Sequence, residues 1–184
     1  SDKALEIADK VMKEISNMAF ETSKELALEK GAFKLWKHSI YKEKYKLRNC
    51  SLLAISPTGA RSILADTSPG IEPNFALGYV RKVLGDTEIL HVNKVLEDTL
   101  KEKDLYSEEL IREIVKTGTI KNTNLPDEIK NIFVTAYEIS PEWHIKMQSA
   151  FQKNIDNAIS KTINFPKSGT IDDIRKAFLL AFDS

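Results

Sequence analysis

Apolar residues recur through the first thirty positions with the spacing of one helix face. Intervals of three and four place such residues on the same side of an α-helix. Gly31 follows them as a stop signal. The pattern predicts a long amphipathic helix over residues 4–30, whose apolar face needs a partner surface. The apolar positions are Ala4, Ala8, Val11, Met12, Ile15, Met18, Ala19 and Leu26.

Six further segments carry helix signals. Ser107 is placed to cap one of them. Ser140 followed by Pro141 marks another start, because serine caps helices and proline fits the first helical position. Thr170 and Asp173 have the spacing of a capping box. The predicted helices cover residues 60–65, 94–103, 107–116, 126–133, 140–157 and 171–181.

Four segments have strand patterns. Residues 49–56 form a short apolar run that ends at a Pro-Thr-Gly turn, as a buried strand does. Residues 159–165 alternate apolar and polar positions before Pro166. Residues 75–83 and 88–92 flank a Gly-Asp pair and are predicted to form a hairpin. Two strand–helix successions indicate parallel-sheet units, so the predicted class is α/β and helix-rich.

Composition narrows the possible partners. The chain has 184 residues, with 27 Lys and Arg against 27 Asp and Glu, so no net charge draws it to a nucleic acid polymer or an anionic membrane. The apolar runs fall far short of the roughly 20 residues that a bilayer span requires. Cys50 is the one cysteine, which excludes an intrachain disulfide and favours a reducing cytoplasm. We expect a single segment, residues 1–184, of one domain.

The turn after the first predicted strand is the best local candidate for a binding site. A strand leads into a glycine, and the backbone amides of the following helix start can point at an anion. Phosphate is the ligand that this arrangement suits, and an ordinary Pro-Gly turn with a helix cap is the alternative. The segment is not a Walker loop, because the Gly-x-x-x-x-Gly-Lys pattern is missing. The candidate residues are Pro57, Thr58, Gly59, Ala60, Arg61 and Ser62.

Other reactive side chains give weaker signals. Cys50 starts an apolar segment, where a free thiol is usually a small core residue. The three histidines, His38, His91 and His144, lie on separate elements without zinc-ligand spacing, so no metal site is expected. Glu72 lies between an isoleucine and a proline in a loop, where binding of backbone amides is favoured over a role as catalytic acid.

Three stretches, in order, resemble one family. Residues 48–75, with their Ser-Pro-Thr-Gly and Ser-Pro-Gly-Ile-Glu-Pro segments, are similar to the phosphate-loop region of adenosylcobalamin-dependent (class II) ribonucleotide reductases. Residues 139–152 and 156–166 resemble the late helix and barrel strand of the same family. The similarity extends from the first helix to the last.

The resemblance implies a late, C-terminal part of a ten-stranded α/β barrel, incomplete in this chain. The family reduces ribonucleoside di- or triphosphates to deoxyribonucleotides through a cobalamin-initiated thiyl radical, which needs at least three cysteines. This chain has only Cys50. The resemblance therefore implies that the catalytic cysteines and adenosylcobalamin belong to the full enzyme, and that the isolated chain binds no cobalamin and is inactive.

Residue by residue, Pro57, Thr58, Gly59 and Ser62 match the family loop that holds substrate phosphates. Ala60 and Arg61 depart from the usual pattern of a hydroxyl residue followed by isoleucine. The resemblance assigns a neighbouring loop to the wall of the same pocket, without a chemical step. Its residues are Ser68, Pro69, Gly70, Ile71, Glu72 and Pro73.

Two rival functions remain at this point. One is a non-enzymatic nucleotide-binding or interaction module on a reductase-derived scaffold, and the other is a phosphate-binding hydrolase. The expected partners are a ribonucleotide substrate and the rest of the reductase barrel, including its upstream segment with the catalytic cysteines. Because three or four strands cannot close a barrel, exposed edges and apolar faces also predict self-association.

Overall fold

The computed structural model describes residues 1–65, 67–82 and 88–184. They form two compact units. Unit 1 comprises residues 1–57, 142–163 and 170–184, and unit 2 comprises the described parts of 58–141 and 164–169. Short 3-10 turns occur at Trp36–His38 and Ala136–Glu138. The regular elements are α1 (Asp2–Lys30), α2 (Gly59–Ala65), β1 (Gly78–Lys82), β2 (Glu88–Val92), α3 (Lys94–Glu102), α4 (Glu108–Thr117), α5 (Asp127–Lys130), α6 (Pro141–Gln152) and α7 (Ile171–Asp183).

Local capping signals place several helix ends as predicted. The Ser107 side chain accepts a hydrogen bond from the Leu110 amide, which caps α4. Gly118 ends that helix in the left-handed conformation, at φ 77°, where a glycine has no Cβ to clash. Thr170 and Asp173 form the predicted capping box of α7.

Two predicted helices are shorter than expected. The helix predicted over 126–133 is regular only in α5, after which the Phe133 amide bonds to the Ile129 carbonyl in an isolated turn. The helix predicted to reach residue 157 ends at Gln152. The Gln152 side chain explains this end, because its amide group bonds to the carbonyl of Asn157 and to the amide of Ile159. These bonds satisfy the backbone without continuing the helix.

The hairpin is confirmed and the two other predicted strands are wrong. β1 and β2 pair antiparallel from Gly78 opposite Val92 to Lys82 opposite Glu88, while the predicted Gly-Asp turn lies outside the described residues. Residues 49–56 and 159–165 join no ladder in the described part of the chain. A strand needs a partner backbone, whereas the Asn49, Leu52 and Leu53 amides donate to side chains and the Leu53 carbonyl lies 3.4 Å from the Asn157 amide.

Unit 2 has its own apolar core. Helix α4 packs on the hairpin, and Leu77 ties the two together because its amide donates to the Gly118 carbonyl at 2.8 Å. The Leu77 carbonyl accepts from Asn93, whose side chain caps α3. The core residues are Leu77, Leu96, Leu100, Ile114, Ile120, Leu125 and Ile129.

Unit 1 buries only part of its apolar helix faces. In α1, Ala8 and Met12 are buried, but Met18 is 72% exposed. In α7, Ala177 is buried, whereas Phe178 and Phe182 are 74% and 89% exposed. The predicted stripe of α7 is therefore uncovered, and that of α1 is uncovered in part, at Val11, Ile15 and Met18. None of the described helices combines the length and apolarity needed to cross a membrane.

Candidate functional site

The predicted phosphate loop is the start of α2. The first helical hydrogen bond runs from the Ser62 amide to the Thr58 carbonyl, at 2.8 Å. The amides of Gly59, Ala60 and Arg61 precede it, and the first amides of a helix have no intrahelical acceptor. All three residues are exposed. This start thus offers consecutive donors to an anion.

The Ser62 hydroxyl forms a hydrogen bond within the loop itself. The side chain is buried, and its hydroxyl donates to the Gly59 carbonyl at 2.7 Å. The Ser62 carbonyl accepts from the Thr67 amide at 3.0 Å. Since a serine hydroxyl has one proton, this one holds the helix start together and can only accept from a ligand in this rotamer.

A cleft of about 640 Å³ lies within unit 2 beside this helix start. Gly59 and Ser62 line it together with Ser68 and Pro69 of the neighbouring loop. Thr58, Ala60 and Arg61 do not line the cleft, and neither do Gly70, Ile71, Glu72 and Pro73. Pro57 is the last residue of its segment in unit 1. The structure thus brings four of the twelve predicted site residues into the lining of one cleft.

The hairpin supplies further lining residues that the sequence did not predict. Tyr79 and His91 are opposite each other in the register, and their rings stack with centroids 4.8 Å apart. Both line the cleft with Lys94, which forms an ion pair with Asp98 at 2.9 Å. Alternation orders faces only within one strand, so the shared face of Tyr79 and His91 follows from the pairing register.

Glu72 turns back on its own loop. Its amide donates to the Pro69 carbonyl at 3.1 Å, and Gly70 between them has a φ of 63° that favours glycine. The loop is therefore a compact turn. Whether the carboxylate binds backbone amides, as predicted, stays a prediction.

Cys50 corrects another expectation. Its side chain is exposed rather than part of the core, because the segment that contains it is not a buried strand. His144 is a core histidine on α6, with its Nδ1 2.9 Å from the Lys161 ammonium. Among residues 1–65, 67–82 and 88–184, no group of three or more His, Cys, Asp or Glu side chains is arranged to hold a metal ion.

Known proteins match this chain along almost its full length. The family model described as "Ribonucleotide reductase, barrel domain" matches residues 41–184. A vitamin B12-dependent ribonucleoside-diphosphate reductase of Thermoplasma acidophilum is 45% identical over 98% of this chain and 24% of its own length. The protein of that name from Mycobacterium tuberculosis is 36% identical over 99% of this chain and 26% of its own length.

A solved structure matches the fold as well. The class Id ribonucleotide reductase alpha subunit of Actinobacillus ureae superposes with a TM-score of 0.84 and 28% identity, over 100% of this chain and 32% of that one. The chain therefore spans about a quarter of the length of the curated relatives it matches.

Proposed function

Because the chain belongs to the ribonucleotide reductase barrel-domain family, we propose that it is the substrate-phosphate part of a reductase catalytic subunit. The proposed substrates are ribonucleoside di- or triphosphates, which the whole enzyme reduces to deoxyribonucleotides. The relatives named above are called diphosphate reductases, which favours diphosphates.

The observation that carries the proposal is the start of α2. The amides of three consecutive exposed residues precede its first helical bond, and Gly59 lines the same cleft as Ser68 and Pro69. Helix starts of this kind bind phosphate oxygens through backbone donors. Arg61 adds an exposed cation next to them. Pro57, Thr58 and Ser62 are proposed to shape this loop, with Ser62 acting through its bond to Gly59.

Adenosylcobalamin is the cofactor proposed for the whole enzyme, since the relatives are named vitamin B12-dependent. When bound, it would supply the radical that starts reduction. The residues of this chain do not fit the centre with which that radical reacts, because the chain has one cysteine, Cys50, which is exposed. We therefore propose that this chain binds and orients the substrate.

The proposed partner is the rest of the reductase barrel. The uncovered apolar faces of α1 and α7 support this, because a soluble surface seldom exposes such a continuous row of large apolar side chains. On α7 the row is Ile171, Ile174, Phe178, Leu179 and Phe182.

Complementation tests the proposal. The chain is mixed with a reductase catalytic subunit that lacks the matching region, together with a ribonucleoside diphosphate, adenosylcobalamin and a dithiol. We expect deoxyribonucleotide from the mixture and none from either part alone. An inert mixture that still binds nucleotide would favour the non-enzymatic module, and phosphate release without cobalamin would favour a hydrolase.

A further inference from the structure

We propose that residues 33–48, which we call the basic loop, bind single-stranded nucleic acid. The basic loop lies wholly in unit 1, and the inference does not rest on the function proposed above. The chain as a whole carries no net charge, but the basic loop has six Lys and Arg side chains against one Glu. The six are Lys34, Lys37, Lys42, Lys44, Lys46 and Arg48.

Hydrogen bonds close the basic loop and give it a defined shape. The Phe33 amide donates to the Leu47 carbonyl at 3.0 Å, which joins its two ends. Within it, Nε1 of Trp36 donates to the Tyr45 carbonyl at 2.9 Å. Compact surface loops whose ends meet and whose own side chains pack inside them are frequently functional. The charged side chains are therefore carried by an ordered backbone.

The positive charge of the basic loop is largely unneutralised. All six cationic residues are exposed. Glu43 pairs with Lys42 at 3.6 Å, and in the part of the chain that the structure describes the other five cations form no ion pair. Like charges gathered on one segment repel each other, and a cluster of one sign attracts ions of the other. The basic loop thus suits a partner with several negative charges.

The second half of the basic loop presents its cations in a row. Lys44, Lys46 and Arg48 are exposed, whereas Tyr45 between the first two is half-buried and Leu47 between the last two is buried. Exposure therefore alternates from residue to residue, which directs every second side chain outward. A row of evenly spaced cations along an extended backbone matches a polymer with evenly spaced phosphates.

Aromatic rings lie between these cations. Phe20 of α1 packs edge-on against Tyr45, with ring centroids 4.7 Å apart, and Tyr41 lies against Tyr45 at 5.5 Å and an interplanar angle of 32°. Tyr41 is the outer ring of this row in the described part of the chain, and it is half-buried, so part of it reaches solvent. Bases of any sequence stack on such rings.

The combination of charges and rings favours a single strand over other anionic partners. A peripheral membrane site of this kind normally uses the apolar face of an amphipathic helix, whereas the basic loop contains only the short 3-10 turn at Trp36–His38. An acidic peptide would engage the cations alone. Single-stranded DNA and RNA need both features, because cations follow their backbone and aromatic rings stack with their bases.

Fluorescence anisotropy of a labelled oligothymidylate of about 16 nucleotides tests the inference on the whole chain, over a series of salt concentrations. We expect saturable binding that weakens as salt rises. Lys37→Gln with Lys44→Gln should lower the affinity about fivefold or more and reduce the slope of log affinity against log salt by about 1.4, since each phosphate contact contributes about 0.7. Lys10→Gln with Lys13→Gln, two exposed residues of α1, removes the same charge and should leave both values unchanged.

Substitution of the outer ring tests stacking separately from charge. Tyr41→Ala should lower the affinity about fivefold or more without changing the salt slope, and Tyr41→Phe should stay within about twofold of wild type. Circular dichroism checks the folding of each variant. If Tyr41→Ala does not fold, the two exposed lysine substitutions decide.

The same measurement with other anions identifies the partner. An oligouridylate of equal length distinguishes RNA from DNA, and tighter binding of either supports the inference. Binding of a DNA duplex or of polyglutamate as tight as that of the oligothymidylate would overturn it. So would a salt slope in the loop lysine variant equal to that of wild type, no saturable binding, or binding only to phosphatidylserine vesicles.

Discussion

At the scale of single residues, Glu138 shows how hydrogen bonds change the pKa of a side chain. Its carboxylate accepts from the Thr135 amide and hydroxyl, at 2.6 and 2.8 Å, and from the Thr119 hydroxyl at 2.8 Å. Burial alone raises the pKa of Glu138, but these three hydrogen bonds and the charge of Lys121 outweigh it, so its pKa lies below the ordinary value of 4.5. Glu138 therefore joins two parts of unit 2 as an ionised group.

A lowered pKa predicts acid sensitivity. As the pH falls, Glu138 takes up a proton at a lower pH in the folded state than in the unfolded state. Its ionised form therefore stabilises the fold above pH 4.5, and this stabilisation is lost as the pH falls through the lowered pKa. Glu138→Gln should cost about 1 kcal/mol of unfolding free energy at pH 7 and should flatten the acid dependence. Urea unfolding at pH 7 and pH 3 measures both effects. The exposed Glu102→Gln serves as control, and an unchanged acid slope in Glu138→Gln would contradict the assignment.

At the scale of elements, the hairpin and α4 meet at a glycine. A Cβ on Gly78 would lie 3.1 Å from Ile114 Cγ2, from Val115 Cγ2 and from the Val115 backbone nitrogen. A backbone atom cannot yield as a side-chain end does, so the hairpin approaches the helix this closely only because residue 78 has no side chain.

Gly78→Ala should therefore destabilise unit 2 by about 1–3 kcal/mol, the usual cost of overpacking. Gly59→Ala is the matched comparison, because a Cβ there meets nothing within 4 Å. Thermal and urea unfolding of the two variants give the difference. Equal stability of both variants would contradict a contact this close between β1 and α4.

The elements also show what a sequence can predict. The first residues of α4 and α7 were predictable from the sequence, because Ser107 and Thr170 cap these helices through residues only three positions away. The strands predicted at 49–56 and 159–165 failed because a strand depends on a distant ladder partner, which no local pattern shows. The prediction that Cys50 is buried failed for the same reason, because it assumed that residues 49–56 form a buried strand. The stacking of Tyr79 on His91 likewise depends on the pairing register of β1 and β2, which the sequence does not show.

At the scale of the whole molecule, α1 and α7 leave large apolar side chains in contact with water, which is unfavourable. Removing apolar surface from water stabilises by roughly 25 cal/mol per Å², and side chains such as Phe178 and Phe182 gain little of this in the isolated chain. The proposed reductase barrel would cover these faces. In its absence, a second copy of the chain is the available cover.

Self-association is therefore the expected behaviour of the purified chain. Sedimentation velocity should show species larger than a monomer, with a proportion that rises with concentration. The double substitution of Phe178→Glu and Phe182→Glu should shift the chain to monomer, because charges cannot be buried at such an interface. Ile40→Glu, at a residue 80% exposed and outside both helices, should leave association unchanged. A wild-type chain that is monomeric at every concentration would contradict this prediction.

We propose that the first amides of α2 bind the substrate phosphates, and nuclear magnetic resonance of the ¹⁵N-labelled chain tests this most directly. The chain is titrated with a ribonucleoside diphosphate and, in a separate experiment, with the ribonucleoside. We predict saturable shifts of the Gly59, Ala60 and Arg61 amide signals with the diphosphate and no such shifts with the nucleoside. Shifts confined to other residues, or none with either compound, would contradict the assignment of this loop.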